Sequence, residues 1–392
     1  MGLNETPSAD RIHIGIFGKR NAGKSSVMNA LTNQNIAIVS DVRGTTTDPV
    51  LKAMELLPIG PVVMIDTPGI DDEGELGALR VKKSYQMLNK TDIAVVVIDG
   101  GEESPEDLAL IERIKNKNIP YAVFHNKSYT LPDGYEKKDG HYYGSAANKD
   151  GIDELRGAIV KLSAVKDSGK KIIADLLNPL DTVVLVVPID SAAPKGRLIL
   201  PQQQTIRDIL EAGGISVVVR DSELENALKK LGEKPRYVVT DSQAFEKVSA
   251  IVPEDIMLTS FSILFARYKG ILETAVRGAA FIDKLKDGDR ILISEGCTHH
   301  RQCDDIGTVK LPRWIKKHTG KEISIEFTSG TEFPDDLSGY SLIIHCGGCM
   351  LNEREVRYRY RCAEESGVPI TNYGTAIAYM NGILKRSVEP FK

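Results

Sequence analysis

The stretch Gly18-Lys19-Arg20-Asn21-Ala22-Gly23-Lys24-Ser25 decides how the first part of this chain folds. It matches the pattern G-x-x-x-x-G-K-S and stands between an apolar run, Ile12–Phe17, and a predicted helix over 26–31. In this pattern the glycines let backbone N–H groups surround phosphate oxygens, the lysine neutralises the β- and γ-phosphates, and the serine hydroxyl binds Mg²⁺. The helix N-terminus adds a partial positive charge. The stretch therefore predicts a nucleotide site and not a simple glycine-rich turn.

Further motifs follow in the order that a nucleotide hydrolase requires. Gly44-Thr45-Thr46-Thr47-Asp48 is rich in hydroxyls, and one of its threonines can reach Mg²⁺ and the γ-phosphate. Asp66-Thr67-Pro68-Gly69 ends a predicted strand, so Asp66 can bind Mg²⁺ through water and Gly69 can donate its N–H to the γ-phosphate. Asn126-Lys127 ends a later strand, and Ser145-Ala146 lies in the loop beyond it.

This order of motifs resembles the Ras-like GTPases of the translation-factor-related class, and most closely their potassium-activated members. The resemblance implies GTP or GDP as ligand, K⁺ at Asn21, and Thr46 beside Ser25 and Asp66 as a Mg²⁺ ligand. We expect Lys24, Thr46, Asp66 and Gly69 to be the catalytic residues. The nucleotide-binding residues are then Gly18, Asn21, Ala22, Gly23, Lys24, Ser25, Ser26, Asn126, Lys127, Ser145 and Ala146.

Two residues depart from the pattern of these GTPases. Tyr129 stands where the guanine motif Asn-Lys-x-Asp has a carboxylate that pairs with two guanine N–H groups, which leaves guanine selectivity open. Ile70 stands where Ras-type enzymes place a glutamine that positions water. We therefore expect slow hydrolysis, of the kind that suits a switch.

Apolar runs of strand length alternate with helical patterns along the whole chain, which predicts the α/β fold class. A polar stretch over 165–171 is typical of a linker. We expect three domains, a GTP-binding domain over 1–166, a second small α/β domain over 172–256 and a third α/β domain over 257–392. The longest apolar-rich stretch, 257–285, is interrupted by charged residues from Arg267 to Arg277, so it predicts a packed helix and not a membrane span.

Charge and cysteine content restrict the class of protein. The 392 residues include 50 Lys and Arg against 54 Asp and Glu, a net charge of −4, which argues against binding to nucleic acid or a membrane surface through bulk basicity. Five cysteines in so long a chain do not suit a disulfide scaffold, and we expect a reducing cytoplasm. All five lie between Cys297 and Cys362, and this clustering indicates that the last quarter of the chain binds a ligand through thiols.

Cys297-Thr298-His299-His300 and His345-Cys346-Gly347-Gly348-Cys349 each follow a predicted strand. Ligands of open α/β sheets gather beyond the carboxyl ends of the strands, so the two segments can converge there. The thiols could be plain buried residues. They could instead hold Zn²⁺ in a Cys₃His site, although zinc-ribbon halves are usually closer in sequence. A third reading is an iron–sulfur cluster on three thiolates, with one iron open to an exchangeable ligand.

The pattern C-x-H…H-C-x-x-C after a GTPase domain and a middle α/β domain resembles the HydF family, the [FeFe]-hydrogenase maturation GTPases. The resemblance covers essentially the full length and includes Asn178-Pro179-Leu180-Asp181 and Pro201-Gln202-Gln203-Gln204 in the middle segment. It implies that Cys297, Cys346 and Cys349 hold a [4Fe–4S] cluster. The fourth ligand stays open between His299, His345, Asp304 and a solvent species, whereas Cys303 and Cys362 are expected to be structural, Cys303 being the better alternative ligand.

The same resemblance implies a scaffold or carrier. Such a protein accepts a transient diiron precursor from two radical-SAM maturases and delivers it to apo [FeFe]-hydrogenase, and its middle domain makes a homodimer. Dimer and tetramer both stay open as the working form, as does the way in which GTP hydrolysis is coupled to transfer. The alternative from another class is a tRNA-modification-like GTPase with a structural zinc site in its C-terminal domain.

Overall fold

The computed structural model describes residues 8–32, 49–72, 74–164, 169–189, 198–296, 305–330 and 332–391. The chain divides into two compact units, Met1–Ser168 and Gly169–Lys392. Within the described ranges the first unit contains one β-sheet and the second contains two, so the predicted α/β class is confirmed.

The first unit is built on a six-stranded sheet in the order β2-β3-β1-β4-β5-β6. Only β2 runs antiparallel to its neighbour, and the other strands are parallel. Parallel strands are covered on both faces and are therefore apolar along their whole length, which is why runs such as Val95-Val96-Val97 are fully buried. The strands are β1 Ile12–Phe17, β2 Val50–Leu56, β3 Gly60–Asp66, β4 Ile93–Asp99, β5 Tyr121–Asn126 and β6 His141–Tyr143.

Helices connect these strands and cover the two faces of the sheet. One core contains Val27 and Leu31 of α1 with Leu155 of α4, and the core on the other face contains Leu110 of α3. Ser104 begins α3 with a capping box, since its hydroxyl accepts from the Asp107 N–H while the Asp107 carboxylate accepts from the Ser104 N–H. The helices of this unit are α1 Lys24–Thr32, α2 Gly74–Met87, α3 Pro105–Asn116 and α4 Ile152–Ser163.

The second unit begins with a four-stranded parallel sheet in the order β10-β9-β7-β8. Its strands are β7 Thr182–Val186, β8 Ile215–Val219, β9 Tyr237–Thr240 and β10 Met257–Ser260. The helices between them are α5 Leu200–Glu211, α6 Leu224–Lys230 and α7 Phe245–Ile251.

A second parallel sheet of this unit has the order β12-β11-β13-β14. Its strands are β11 Arg290–Ser294, β12 Ser324–Thr328, β13 Leu342–His345 and β14 Ile370–Asn372. Helices α8 Phe261–Tyr268 and α9 Leu272–Ala279 precede it, and α10 Leu311–Thr319, α11 Glu353–Glu365, α12 Tyr373–Met380 and α13 Leu384–Val388 accompany it. Helices α9 and α12 pack on the first sheet of this unit, because Val184 and Val238 of that sheet lie in one apolar cluster with Ala279 of α9 and Ala378 of α12.

The single long helix expected over 257–285 is a wrong prediction. Residues 257–260 form the edge strand β10, and Ser260 then begins α8 by accepting a hydrogen bond from the Ile263 N–H. Gly270 separates α8 from α9 at φ +69°, a conformation that breaks a helix and favours glycine. In the described part of the chain no helix is long and apolar enough to span a membrane.

Candidate functional sites

The loop between β1 and α1 has the backbone that the glycine pattern predicts. Gly18 and Gly23 have φ values of +147° and +89°, and Asn21 between them has a φ of +63°. A Cβ on Gly18 would lie 2.2 Å from the carbonyl oxygen of Val97, and one on Gly23 would lie 2.2 Å from Nδ2 of Asn126. Both glycines are therefore required by backbone conformation and by close packing.

Lys24 and Asp66 place opposite charges at the mouth of this loop. Lys24 is buried, and its Nζ donates to the carbonyl oxygen of Lys19 over 2.7 Å. Burial lowers the pKa of Lys24 to about 8, against the opposing effect of carboxylates led by Asp66. The phosphate oxygens of a bound nucleotide would give the Lys24 ammonium a partner of opposite charge.

Ser25 and Asp66, the two described residues predicted to bind Mg²⁺, lie side by side. The Ser25 hydroxyl donates to Oδ2 of Asp66 over 2.7 Å. Burial raises the pKa of Asp66, and no group among the described residues bonds its other oxygen, Oδ1. A hydroxyl beside a buried and half-satisfied carboxylate is a donor set that suits a hydrated Mg²⁺ ion.

The segment after β3 packs on the phosphate loop. The Thr67 hydroxyl donates to the carbonyl oxygen of Ile16 over 2.7 Å, which fixes the end of β3 against β1. Arg20 N–H donates to Oδ1 of Asp71 over 2.6 Å. A Cβ on Gly69 would lie 2.9 Å from the backbone nitrogen of Arg20, so the predicted γ-phosphate donor lies directly beside the loop.

Asn126 and Lys127 connect the predicted base-binding loops to the phosphate loop. Asn126 Nδ2 donates to the Ala22 carbonyl oxygen over 2.9 Å, and its Oδ1 accepts from the Ala146 N–H over 3.0 Å. Lys127 Nζ donates to the Asn21 carbonyl oxygen over 2.9 Å. The Asn126 side chain thus connects the phosphate loop to the loop that contains Ser145 and Ala146.

The two departures from the GTPase pattern are visible in the structure. Tyr129 lies in a short helical turn after Lys127 and exposes 66% of its surface, so it supplies no carboxylate to a base. Ile70 is buried and apolar, so it has no group that could position a water molecule. Thr46 lies outside the described residues, as does all of 44–48.

The thiol site lies where β11 and β13 end side by side, paired at Ser294 and His345. Cys346 N–H donates to the Ser294 carbonyl oxygen over 2.9 Å, and Gly296 N–H donates to the Cys346 Sγ over 3.0 Å. Gly348 N–H approaches the same sulfur at 3.3 Å. Gly296 directly precedes Cys297, so the loop that carries the first motif begins beside the second.

Buried cations surround these thiols. Lys269 is buried and donates to the carbonyl oxygens of Gly348 and Leu351, beneath the loop that holds Cys349. Burial raises the pKa of Cys346 and of Cys349, while Lys269 opposes that rise at Cys349. Two N–H donors to one sulfur and a nearby buried cation suit an anionic thiolate assembly.

His345 is fully engaged with its neighbours in the described arrangement. Its Nδ1 bonds the carbonyl oxygen of Cys346 over 2.7 Å, which places the proton on Nδ1 and the lone pair on Nε2. Nε2 faces Nη1 of Arg359 at 3.4 Å, and Arg359 is almost completely buried. Burial and then Arg359 lower the pKa of His345 to about 3. To ligate iron, His345 would have to turn away from Arg359.

Sequence reasoning missed two side chains next to the thiols. Arg359 also donates to Ser294 and Glu355. Tyr360 is buried near Cys346, and its hydroxyl has no hydrogen-bond partner among the described residues. Neither residue belongs to a short motif, so only the packing of α11 identifies them.

The first half of the thiol motif lies outside the described residues. Cys297, His299, Cys303 and Asp304 fall within 297–304, outside the described residues, so their roles stay predictions. Cys362 is half-buried on α11 and packs against an apolar core.

Comparison with known families gives an assignment for each part of the chain. The first unit is a P-loop GTPase domain, since residues 13–127 match the sequence model of the 50S ribosome-binding GTPases, and such a domain uses GTP with Mg²⁺. Residues 172–270 match the Hydrogen maturase F dimerization domain, and residues 273–390 match its tetramerization domain. Together these last two matches cover more than half of the chain. The chain belongs to the HydF family of hydrogenase maturation GTPases.

The named relatives described next each match less than half of this chain. The tRNA modification GTPase MnmE of Laribacter hongkongensis is 31% identical over 156 residues, which are 38% of this chain and 34% of that protein. GTPase Era of Rippkaea orientalis is 31% identical over 163 residues, 38% of this chain and 52% of that protein. The chain thus spans a third to a half of these relatives. Among solved structures, the FeoB G-domain of Methanococcus jannaschii covers 39% of this chain and 98% of its own, at 22% identity and a TM-score of 0.31.

Proposed function

We propose that this protein is a GTP-hydrolysing scaffold that carries a diiron precursor to apo [FeFe]-hydrogenase. Its first unit hydrolyses GTP slowly, and its last domain holds a [4Fe–4S] cluster through Cys297, Cys346 and Cys349. Two radical-SAM maturases supply the precursor, and the protein works in the cytoplasm. We keep the domain limits that the sequence predicts, except that β10 (Met257–Ser260) pairs in the sheet of the middle domain and belongs with it.

The observation that carries this proposal is the environment of Cys346. Its sulfur accepts two backbone N–H groups, one of them from the residue before Cys297. Neutral buried cysteines rarely need such donors, whereas thiolates that hold a cluster are stabilised by them. A bound cluster would supply an open iron position to which cargo attaches. The Cys349 thiol lies close enough to act electrostatically on Cys346, and Gly348 between the two cysteines has a φ of +62°.

Zinc in a Cys₃His site is a weaker fit to the described arrangement. Structural zinc is almost always held by four protein ligands. Both ring nitrogens of His345 already have partners, so His345 would have to give up its contact with Arg359 to become the fourth ligand of zinc. The matches to tRNA modification GTPases lie at the GTPase domain alone and lend no support to the alternative function.

The middle domain is proposed to form a homodimer, and a tetramer is the further assembly that the two matched family models name. Assembly brings two or four thiol sites into one particle, which suits a protein that hands over cargo.

Transfer of iron to hydrogenase tests the carrier proposal. Protein loaded with cluster and precursor should activate apo-hydrogenase, and Cys346→Ser should abolish activation while GTP hydrolysis continues at the wild-type rate. Cys362→Ser is the matched control, because that thiol lies on α11 and outside the motif. Activation by Cys346→Ser at the wild-type level would overturn the proposal.

Replacement of K⁺ by Na⁺ tests the potassium site. We expect turnover to fall in NaCl, because Asn21 is exposed at the phosphate loop and is the proposed K⁺ ligand. The Asn21→Ala variant should hydrolyse GTP at one low rate in both salts. Equal wild-type rates in the two salts would remove the role assigned to Asn21.

A further inference from the structure

Three side chains outside the nucleotide and thiol sites converge in the first unit. Glu103 lies in the loop after β4, His125 precedes Asn126 at the end of β5, and His141 begins β6. His125 Nε2 is 2.9 Å from His141 Nδ1, and Oε1 of Glu103 is 3.4 Å from His141 Nδ1 and 3.8 Å from His125 Nε2. Ligand atoms around a tetrahedral zinc ion are roughly 3.4 Å apart, as Zn–N bonds of about 2.1 Å require. The three separations observed here, 2.9, 3.4 and 3.8 Å, lie below, at and above this distance.

Neighbouring groups fix His125 in the orientation of a metal ligand. Its Nδ1 lies 3.0 Å from the carbonyl oxygen of Gly100, which can only accept, so Nδ1 carries the proton and Nε2 keeps its lone pair. The ring stacks on Tyr143 with centroids 4.3 Å apart and planes 8° apart. Metal-ligating histidines characteristically donate their other N–H to a carbonyl or carboxylate in this way.

The protonation states also suit a cation. Burial lowers the pKa of His125 and of His141, so both rings are neutral at neutral pH. Burial is the largest single effect on Glu103 and raises its pKa, but the hydrogen bond from Lys138, further hydrogen bonding and nearby positive charge together lower the pKa by more. Two neutral imidazoles and one carboxylate are therefore available together.

We propose that Glu103, His125 and His141 bind a divalent transition-metal ion, with Zn²⁺ as the best-fitting ion. His125 binds through Nε2, Glu103 through Oε1, and His141 through Nδ1 after its proton moves to Nε2. Two histidines and a carboxylate are a donor set that zinc uses, with the fourth position left to water. An ion here holds β5 to β6 directly before Asn126, the residue that connects the base-binding and phosphate loops.

Lys138 competes with a metal ion for the carboxylate of Glu103. Its ammonium pairs with Oε2 of Glu103, and half of its side chain is exposed to solvent. The lysine can therefore swing into water when a cation arrives, whereas Glu103 and His125 are buried and stay in place. Removal of the lysine charge should strengthen metal binding, an effect that a purely structural ion-pair network would not produce.

Titration of the full-length protein with Zn²⁺ against a chromophoric chelator tests the site. The wild type should bind one equivalent more than His141→Asn or Glu103→Gln, with affinity at this site reduced about 100-fold or more in either variant. His318→Gln is the matched control, since His318 also pairs with a carboxylate, Asp283, at 2.8 Å. All variants keep the five cysteines, so zinc bound to thiols cancels in the comparison.

Two further readouts complete the test. Lys138→Gln should bind Zn²⁺ more tightly than the wild type. Co²⁺ at this site should give visible d–d bands that His141→Asn lacks, without any change in thiolate-to-cobalt absorption. Retained GTP binding by the variants shows that they fold. Equal stoichiometry and affinity in wild type, His141→Asn and Glu103→Gln would overturn the proposal.

Discussion

Lys24 and Asp66 are buried charged residues of the GTPase domain, and Asp66 is the carboxylate that acts most strongly on Lys24. The lysine rests on a backbone carbonyl, and the carboxylate has one oxygen without a partner among the described residues. Burial of charge is costly unless it is compensated. A nucleotide phosphate with Mg²⁺ compensates both side chains at once, so the energetic cost in the free protein favours binding.

The pKa of Lys24 predicts that nucleotide binding takes up protons. With a pKa of about 8 in the free protein, half of the Lys24 side chains are neutral at pH 8. Phosphate oxygens raise that pKa again, so binding of Mg·GDP at pH 8 should take up about half a proton, and affinity should fall as the pH rises through 8. Calorimetry in two buffers of different ionisation enthalpy measures the uptake.

A measurement at pH 6.5 is the control, because Lys24 is then already protonated in the free protein and contributes no uptake. The nucleotide phosphates are ionised at pH 8, so their own titration does not account for the signal. Zero uptake at pH 8 would contradict the proposed role of the buried lysine.

Residues with a local signature could be predicted from the sequence, and residues without one could not. The phosphate loop is continuous in sequence, and its glycine spacing follows from backbone conformation. Glu103, His125 and His141 are distant in sequence and meet only because β4, β5 and β6 are neighbours. Arg359 and Lys269 are buried beside the thiols for a similar reason, namely the packing of α11 against α8.

Strands were predicted well at the level of elements, because parallel strands have continuous apolar runs. The apolar run Ile12–Phe17, for example, forms strand β1 over the same residues. The single helix predicted over 257–285 was wrong because a strand, two short helices and a turn in this stretch are all rich in apolar residues. Periodicity alone does not separate a buried strand from a buried helix.

Asp208 of α5 anchors the chain at the start of the second unit. Its Oδ2 accepts three backbone N–H groups, from Ile172, Ile173 and Ala174, at 3.0, 2.7 and 2.7 Å. Asp208→Ala leaves these donors unpaired, so we expect the free energy of unfolding to fall by about 3 kcal/mol. Urea unfolding followed by fluorescence measures this loss, since Trp314, the only tryptophan, lies in this unit.

Glu211→Ala on the same helix is the matched control. Glu211 pairs with Arg207 on the exposed surface, and such a pair contributes less than about 0.5 kcal/mol. If Asp208→Ala unfolds at the same urea concentration as Glu211→Ala, the three hydrogen bonds do not anchor the segment.

At the scale of the whole molecule, a GTPase domain is joined to a unit that holds the thiol motif and the matched oligomerisation domains. The family could be predicted from sequence because its two motifs occur in the right order on a long chain. The sequence also predicts that the two thiol segments meet beyond the ends of their strands. In the structure, Cys346 at the end of β13 accepts a hydrogen bond from Gly296, the residue before Cys297. The fourth ligand could not be predicted, because it depends on which side chains turn towards the metal.

Anaerobic reconstitution of the wild-type protein with iron and sulfide tests the central claim most directly. Visible absorption and analysis of iron, sulfide and zinc should give a brown protein with four irons and four sulfides per chain, as a [4Fe–4S] cluster requires. Cys346→Ser should remain without cluster, and exogenous imidazole should change the spectrum of the wild type by occupying the open iron position. A colourless wild-type protein with one zinc per chain would contradict the account.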